Sequence, residues 1–104
     1  MSILLLYLIS MINIESDLKK LNEYLSSTDI NVVNHSGTMY VLNGFKHNPG
    51  DYALISTNND DTKWWFATYY DNKVQQQVEV DRIEDVIGWL KLVVAGDESL
   101  VYED

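Results

Sequence analysis

The 104-residue chain contains no cysteine, one proline, five glycines and only seven lysines and arginines. Each shortage excludes something. Without cysteine there is no disulfide framework, no zinc–thiolate site and no cysteine nucleophile, which suits a reducing compartment such as the cytoplasm. The lone proline, Pro49, and the scattered glycines leave little sequence for flexible linkers. They also form no GxGxxG or Walker phosphate loop. The shortage of cations matters most. The best local basic pair is Lys19-Lys20, so no Lys/Arg cluster is available to grip nucleic-acid phosphates or an anionic membrane directly.

What is present is acid. Sixteen Asp and Glu give a formal charge of −9. Eight of them fall in the last 26 residues (Glu79, Asp81, Glu84, Asp85, Asp97, Glu98, Glu103 and Asp104), opposed there only by Arg82 and Lys91. Hydrophobic residues make up 46% of the chain and aromatics 12%, too much apolar surface for a disordered acidic tail. The charge therefore sits on a fold, and the length fits a single domain over residues 1–104. Such a protein is expected to associate quickly, and with strong salt dependence, with a basic surface.

Residues 3–9 (ILLLYLI) are almost wholly apolar. No cation precedes them and no small-residue cleavage site follows, as a signal peptide would require, and the run is too short to span a bilayer. They read as a buried strand, the first turns of an apolar helix, or a contact that would make a homodimer. Alternatively, Met11 is a natural start and residues 1–10 lie upstream of it. At the other end, residues 97–104 form an acidic tail around Leu100, Val101 and Tyr102.

Between these ends the pattern predicts helix, strands, helix. Ile14, Leu18, Leu21 and Leu25 recur at helical spacing over residues 14–25, with Asn13 or Ser16 as the cap. Short runs at 30–34, 38–42, 52–57, 63–70 and 74–80 are rich in β-branched or aromatic residues and separated by turn signals, including His35-Ser36-Gly37, His47-Asn48-Pro49-Gly50 and Asp71-Asn72. Val74, Gln76, Val78 and Val80 should share one face of the last strand. Residues 82–94 then read as a helix with the stripe Ile83, Val86, Ile87, Leu90 and Val94. Asp81 and Glu84 form its capping box, and Gly96 lies beyond its end. The expected fold is α+β: an antiparallel sheet of four to five strands with an N-terminal and a C-terminal helix.

Catalytic patterns are missing. His35 and His47 both lie in turn-like segments. A pairing of His47 with Asp51 at a metal or proton-transfer site has no third ligand at a familiar spacing. No GxSxG elbow occurs, and a paired-carboxylate site would need a cleft that so short a chain can hardly build. No catalytic residue, metal or cofactor is therefore expected, and the chain reads as a non-enzyme.

Two sets of residues remain as a candidate interface. Alternation along residues 64–70 puts Trp64, Phe66 and Tyr70 on one face and Trp65 and Tyr69 on the other. One set fills the core. The other is an interface, or is covered by the second helix or by residues 3–9. The acids Asp60, Asp61, Asp71, Glu79, Asp81, Glu84 and Asp85 form the second set. Two residues along a strand span ~6.6 Å, similar to the spacing of phosphates along a nucleic-acid strand. Carboxylates so placed can occupy a groove made for a charged backbone. Solubility is the competing explanation, but it does not need so one-sided an excess.

The polar hairpin loop Asn58-Asn59-Asp60-Asp61 and the acidic segment Asp81-Arg82-Ile83-Glu84-Asp85-Val86-Ile87 carry a likeness over about residues 50–90. In order of elements and charge this stretch resembles the small acidic anti-CRISPR proteins of phages and mobile elements. The chain departs from them in its aromatic-rich sheet and apolar N-terminus. The resemblance implies a stoichiometric inhibitor acting as a DNA mimic. Its acidic side chains would occupy the nucleic-acid groove of a host Cas-type effector or other nuclease in the host cytoplasm, with no covalent step. Two other readings stay open: an acidic immunity or antitoxin protein that plugs a toxic nuclease, and a small structural protein that forms oligomers.

Overall fold

The computed structural model describes residues 13–96. Helix α1 (Ile14–Ser26) leads into strands β1 (Asn31–Ser36), β2 (Met39–Asn43), β3 (Asp51–Thr57), β4 (Trp64–Tyr70) and β5 (Lys73–Val80), and helix α2 (Ile83–Ala95) follows. The strands form one antiparallel meander in the order β1-β2-β3-β4-β5. This is the α+β arrangement expected from the sequence. The expectations for residues 1–10, a start at Met11, a homodimer through the apolar segment and the tail 97–104 fall outside the described residues.

Cross-strand register defines the two faces. Tyr40 and Leu42 of β2 face Ile55 and Ala53 of β3, which in turn face Phe66 and Thr68 of β4, while Trp64 and Phe66 face Val80 and Val78 of β5. This face carries the core. Tyr40, Leu42, Ala53, Ile55, Trp64 and Phe66 are buried in one cluster with Leu21 and Leu25 of α1 and with Ile83, Val86, Leu90 and Val93 of α2. Both helices therefore lie on the same face of the sheet. The alternative of one helix on each face does not occur, because both apolar stripes are consumed by a single core.

Polar handles on buried aromatics fix α1 in place. The Trp64 indole N–H donates to Asp17 at 2.8 Å, and the Tyr40 hydroxyl donates to Asn22 at 2.7 Å. Aromatic rings with one polar end commonly combine burial with a directional bond in this way. The Lys91 ammonium lies 5.9 Å from the centre of the Tyr24 ring, a cation–π contact between the helices. The backbone N–H of Ser16 donates to the Asn13 side chain, so Asn13 caps α1.

Three local expectations are corrected. Asp81 is not the N-cap of α2. That position belongs to Arg82, which makes no side-chain cap bond, while the Asp81 carboxylate is taken by Lys63. Helix α2 starts one residue later than the capping-box pattern requires, so Asp81 falls just outside the cap position. Second, the first hairpin turns at Gly37-Thr38, since His35 and Ser36 belong to β1 and pair with Tyr40 and Met39. Third, the even residues of β5 do not share one face. The register shifts between Thr68 and Tyr69, so Gln76 opposes Thr68 while Val74 opposes Tyr69. This bulge turns Val74 away from the helices and leaves it 47% exposed. Gly96 closes α2 in the left-handed conformation at φ 74°, and its N–H reaches Leu92 and Val93 carbonyls, as expected.

One core group is badly matched. The Thr68 hydroxyl is buried with no hydrogen-bond partner among the described residues. An orphaned buried polar group costs about 1–3 kcal/mol. Thr68→Val should therefore be neutral or raise stability by about 1 kcal/mol in urea unfolding, whereas Trp64→Ala should cost about 3–5 kcal/mol. A clear loss on Thr68→Val would reveal a partner for that hydroxyl.

Candidate functional site

The nine residues singled out from the sequence fall into two groups at opposite ends of β4. Asp60 and Asp61 lie on the β3–β4 loop. Glu79 pairs across the ladder with Trp65, and Asp81, Glu84 and Asp85 run from the end of β5 into α2. Since Trp64 opposes Val80, these segments meet at one end of the sheet. Tyr69 and Asp71 lie at the other end, where Asp71-Asn72 turns β4 into β5. Five residues further along a strand is roughly 16 Å, so the two groups are separate.

At the acidic end, six carboxylates meet few cations, but those cations are well used. Lys20 of α1 bonds Glu84 at 2.9 Å, Lys63 pairs with Asp81, and Arg82 lies 3.9 Å from Asp85. The β3–β4 loop is internally bonded as well. Asn58 Oδ1 accepts from the N–H groups of Thr62 and Lys63, the Thr57 hydroxyl donates to Asp61 at 2.9 Å, and the Thr62 hydroxyl donates to Asp60 at 2.7 Å. Asp61 sits at φ 56°, a left-handed position that Asp tolerates. The loop is thus a rigid presentation of two carboxylates. The Thr62 hydroxyl holds Asp60 below its ordinary pKa, so it stays ionised. Lys20 does the same for Glu84, and the two ammonium groups of Lys20 and Lys63 are pushed up by their acidic partners. All three ion pairs are largely exposed and add little to stability. Their effect is to trim the negative field toward Asp60 and Asp61, since Lys63 acts on Glu79 as well as on Asp81.

The face turned away from the helices carries Val41, Leu54, Trp65, Ala67 and Tyr69, with Tyr52 opposite Tyr69. No described helix packs on it. Trp65 and Tyr69 are half-buried, and Tyr52 is 45% exposed. Tyr52, absent from the residues chosen by sequence, joins the face through the β3–β4 register. A recess of about 420 Å³ opens beside it, lined by Gly50, Tyr52, Tyr69, Asp71 and Asn72.

The histidines are placed apart. His35 stacks on Tyr40 with ring centres 3.9 Å apart, and its Nε2–H donates to the Gly37 carbonyl at 2.9 Å. His47 is exposed and lines a second recess of about 320 Å³ together with Asp29 and Lys46, while Asp51 is buried. Among the described residues no group of three His, Cys, Asp or Glu is placed to hold a metal ion, and no helix is long and apolar enough to cross a membrane.

Comparison of the chain with protein-family models, curated proteins and solved structures finds no match.

The Lys20–Glu84 bond ties α1 to α2 and gives a pH test. Glu84 is held below its ordinary value of 4.5, first by the hydrogen bond from Lys20. A depressed carboxylate stabilises the fold above its unfolded pKa, and that contribution fades as pH falls through the folded value. The stability gap between the wild type and Glu84→Gln should therefore be largest at pH 6 and should narrow below pH 4.5. Urea midpoints at the two pH values check this; a constant gap contradicts the pairing.

Proposed function

We propose that the protein is a non-catalytic, stoichiometric inhibitor that binds a basic nucleic-acid-handling enzyme, Cas-type or another nuclease, and occupies its nucleic-acid groove. The observation that carries the reading is the juxtaposition at one end of the sheet. Carboxylates from the β3–β4 loop, the end of β5 and the start of α2 share this end, with Glu79 beside Trp65 on the face turned away from the helices and Glu84 and Asp85 on α2. A basic groove built for a phosphate backbone meets both requirements of such a surface, charge and an aromatic anchor.

The ion pairs define which acids do the work. Asp81, Glu84 and Asp85 are partly neutralised at home and Glu79 shares Lys63, so Asp60 and Asp61 lead the contact, with Glu79 beside the Trp65 anchor. The rigid β3–β4 loop reduces the entropy lost on binding, because its carboxylates are already fixed by Thr57 and Thr62. Steric occupation by a preformed acidic surface needs no bond-making step, in keeping with the lack of a catalytic pattern in the sequence.

The test is capture on the immobilised full chain from nuclease-treated host lysate, followed by challenge with duplex DNA. The captured partner should be a nucleic-acid-binding enzyme. DNA should displace it, and its affinity should fall at least about tenfold between 50 and 300 mM salt. Reversing Asp60, Asp61 and Glu79 to Lys together should abolish capture with the unfolding midpoint little changed. A partner held equally well at both salt concentrations, or indifferent to DNA, contradicts the proposal.

A further inference from the structure

The recess at the β4–β5 turn has the chemistry of a receptor for one cationic side chain. Its walls are Tyr52 and Tyr69, directly opposite each other on neighbouring strands. Its rim is Asp71. The turn that presents Asp71 is a two-residue hairpin loop closed by the Tyr70–Lys73 pair, with φ of 52° at Asp71 and 61° at Asn72. Positive φ at both central positions is what a tight hairpin of this hand requires, and Asp and Asn are among the residues that accept it. The carboxylate is thereby held on a short, stiff support beside the Tyr69 ring.

Two further features make the recess a place for a guest. Gly50 forms part of its wall and adds no side chain to it. Asp71 makes no ion pair among the described residues, whereas the acidic end of the sheet consumes Lys20, Lys63 and Arg82. A carboxylate with no ion pair among the described residues, on the rim beside two tyrosines in a chain of charge −9, is complementary to a cation with flat faces.

We infer that Tyr52, Tyr69 and Asp71 form a binding site for the side chain of an arginine displayed by a partner protein. A guanidinium is planar, stacks on aromatic faces and donates in-plane to a carboxylate, and it sheds water more readily than an ammonium. The volume of about 420 Å³ accommodates that side chain while the partner's backbone stays outside. The site lies at the end of β4 remote from Asp60 and Asp61, so it does not rest on the inhibitor reading.

The probe is the capped peptide acetyl-Gly-Arg-Gly-amide, titrated into the full chain at low salt and followed by NMR. Saturable shifts are expected at the Tyr52 and Tyr69 rings and the Asp71 and Asn72 amides. The citrulline peptide, equal in shape but uncharged, should bind at least about tenfold more weakly. Asp71→Asn should weaken the arginine peptide by about threefold or more, with Trp64 signals unchanged as the check on folding. Equal binding of the citrulline peptide, an Asp71→Asn variant of unaltered affinity, or shifts confined to Asp60 and Asp61 would each overturn the site. A bound arginine peptide together with failed DNA-sensitive capture leaves the recess standing and removes only the inhibitor reading; the reverse pattern removes only the recess.

Discussion

The arrangement depends on Trp64. Its ring lies fully buried where β4 meets both helices, and its indole N–H is spent on Asp17 of α1. Once that ring and Phe66 are covered, strict alternation along β4 commits Trp65 and Tyr69 to the opposite face. A half-buried aromatic surface is therefore the geometric consequence of a core built on one side of a five-stranded meander. The Tyr40–Asn22 bond supports the same docking from β2, so α1 cannot shift along the sheet without losing two bonds made by buried rings.

Much of this was legible in the chain. Leucines three and four apart specify α1, the Asn13 cap marks its start, and alternating runs specify the strands. What the sequence could not supply is long-range. Both helices carry an apolar stripe, the wider one on α2, and nothing local says that Leu21 and Ile83 meet in one core. The Lys20–Glu84 bond joins residues 64 apart, and Lys63–Asp81 joins residues 18 apart. The expected capping box failed on a one-residue difference in where α2 starts, which puts Arg82 rather than Asp81 at the cap position. The bulge in β5 was equally invisible, since VQQQV alternates cleanly on paper and only pairing with β4 reveals the extra residue.

The same reasoning explains how the candidate surfaces emerged. Single-strand alternation identified Tyr69, but Tyr52 enters only through register, which depends on how many residues the β3–β4 loop takes up. The acids were read correctly as numerous, yet their effective charge depends on neighbours. Lys20, Lys63 and Arg82 offset Glu84, Asp81 and Asp85, and Lys63 also acts on Glu79, leaving Asp60 and Asp61 of the loop as the sharper negative feature. A patch of carboxylates is thus a poorer guide than the subset that the fold leaves without a cation.

The account rests on the face that no described helix covers being reachable from solution, and one measurement addresses that directly. Paramagnetic relaxation by a soluble gadolinium chelate, recorded by NMR on the intact chain, ranks side chains by accessibility. The expected result is strong broadening at Tyr52 and Val74, intermediate broadening at Trp65 and Tyr69, and protection of Trp64, Phe66 and Ile55. Protection of Tyr52, Trp65 and Tyr69 equal to that of Trp64 would mean that the face is closed and would contradict the account.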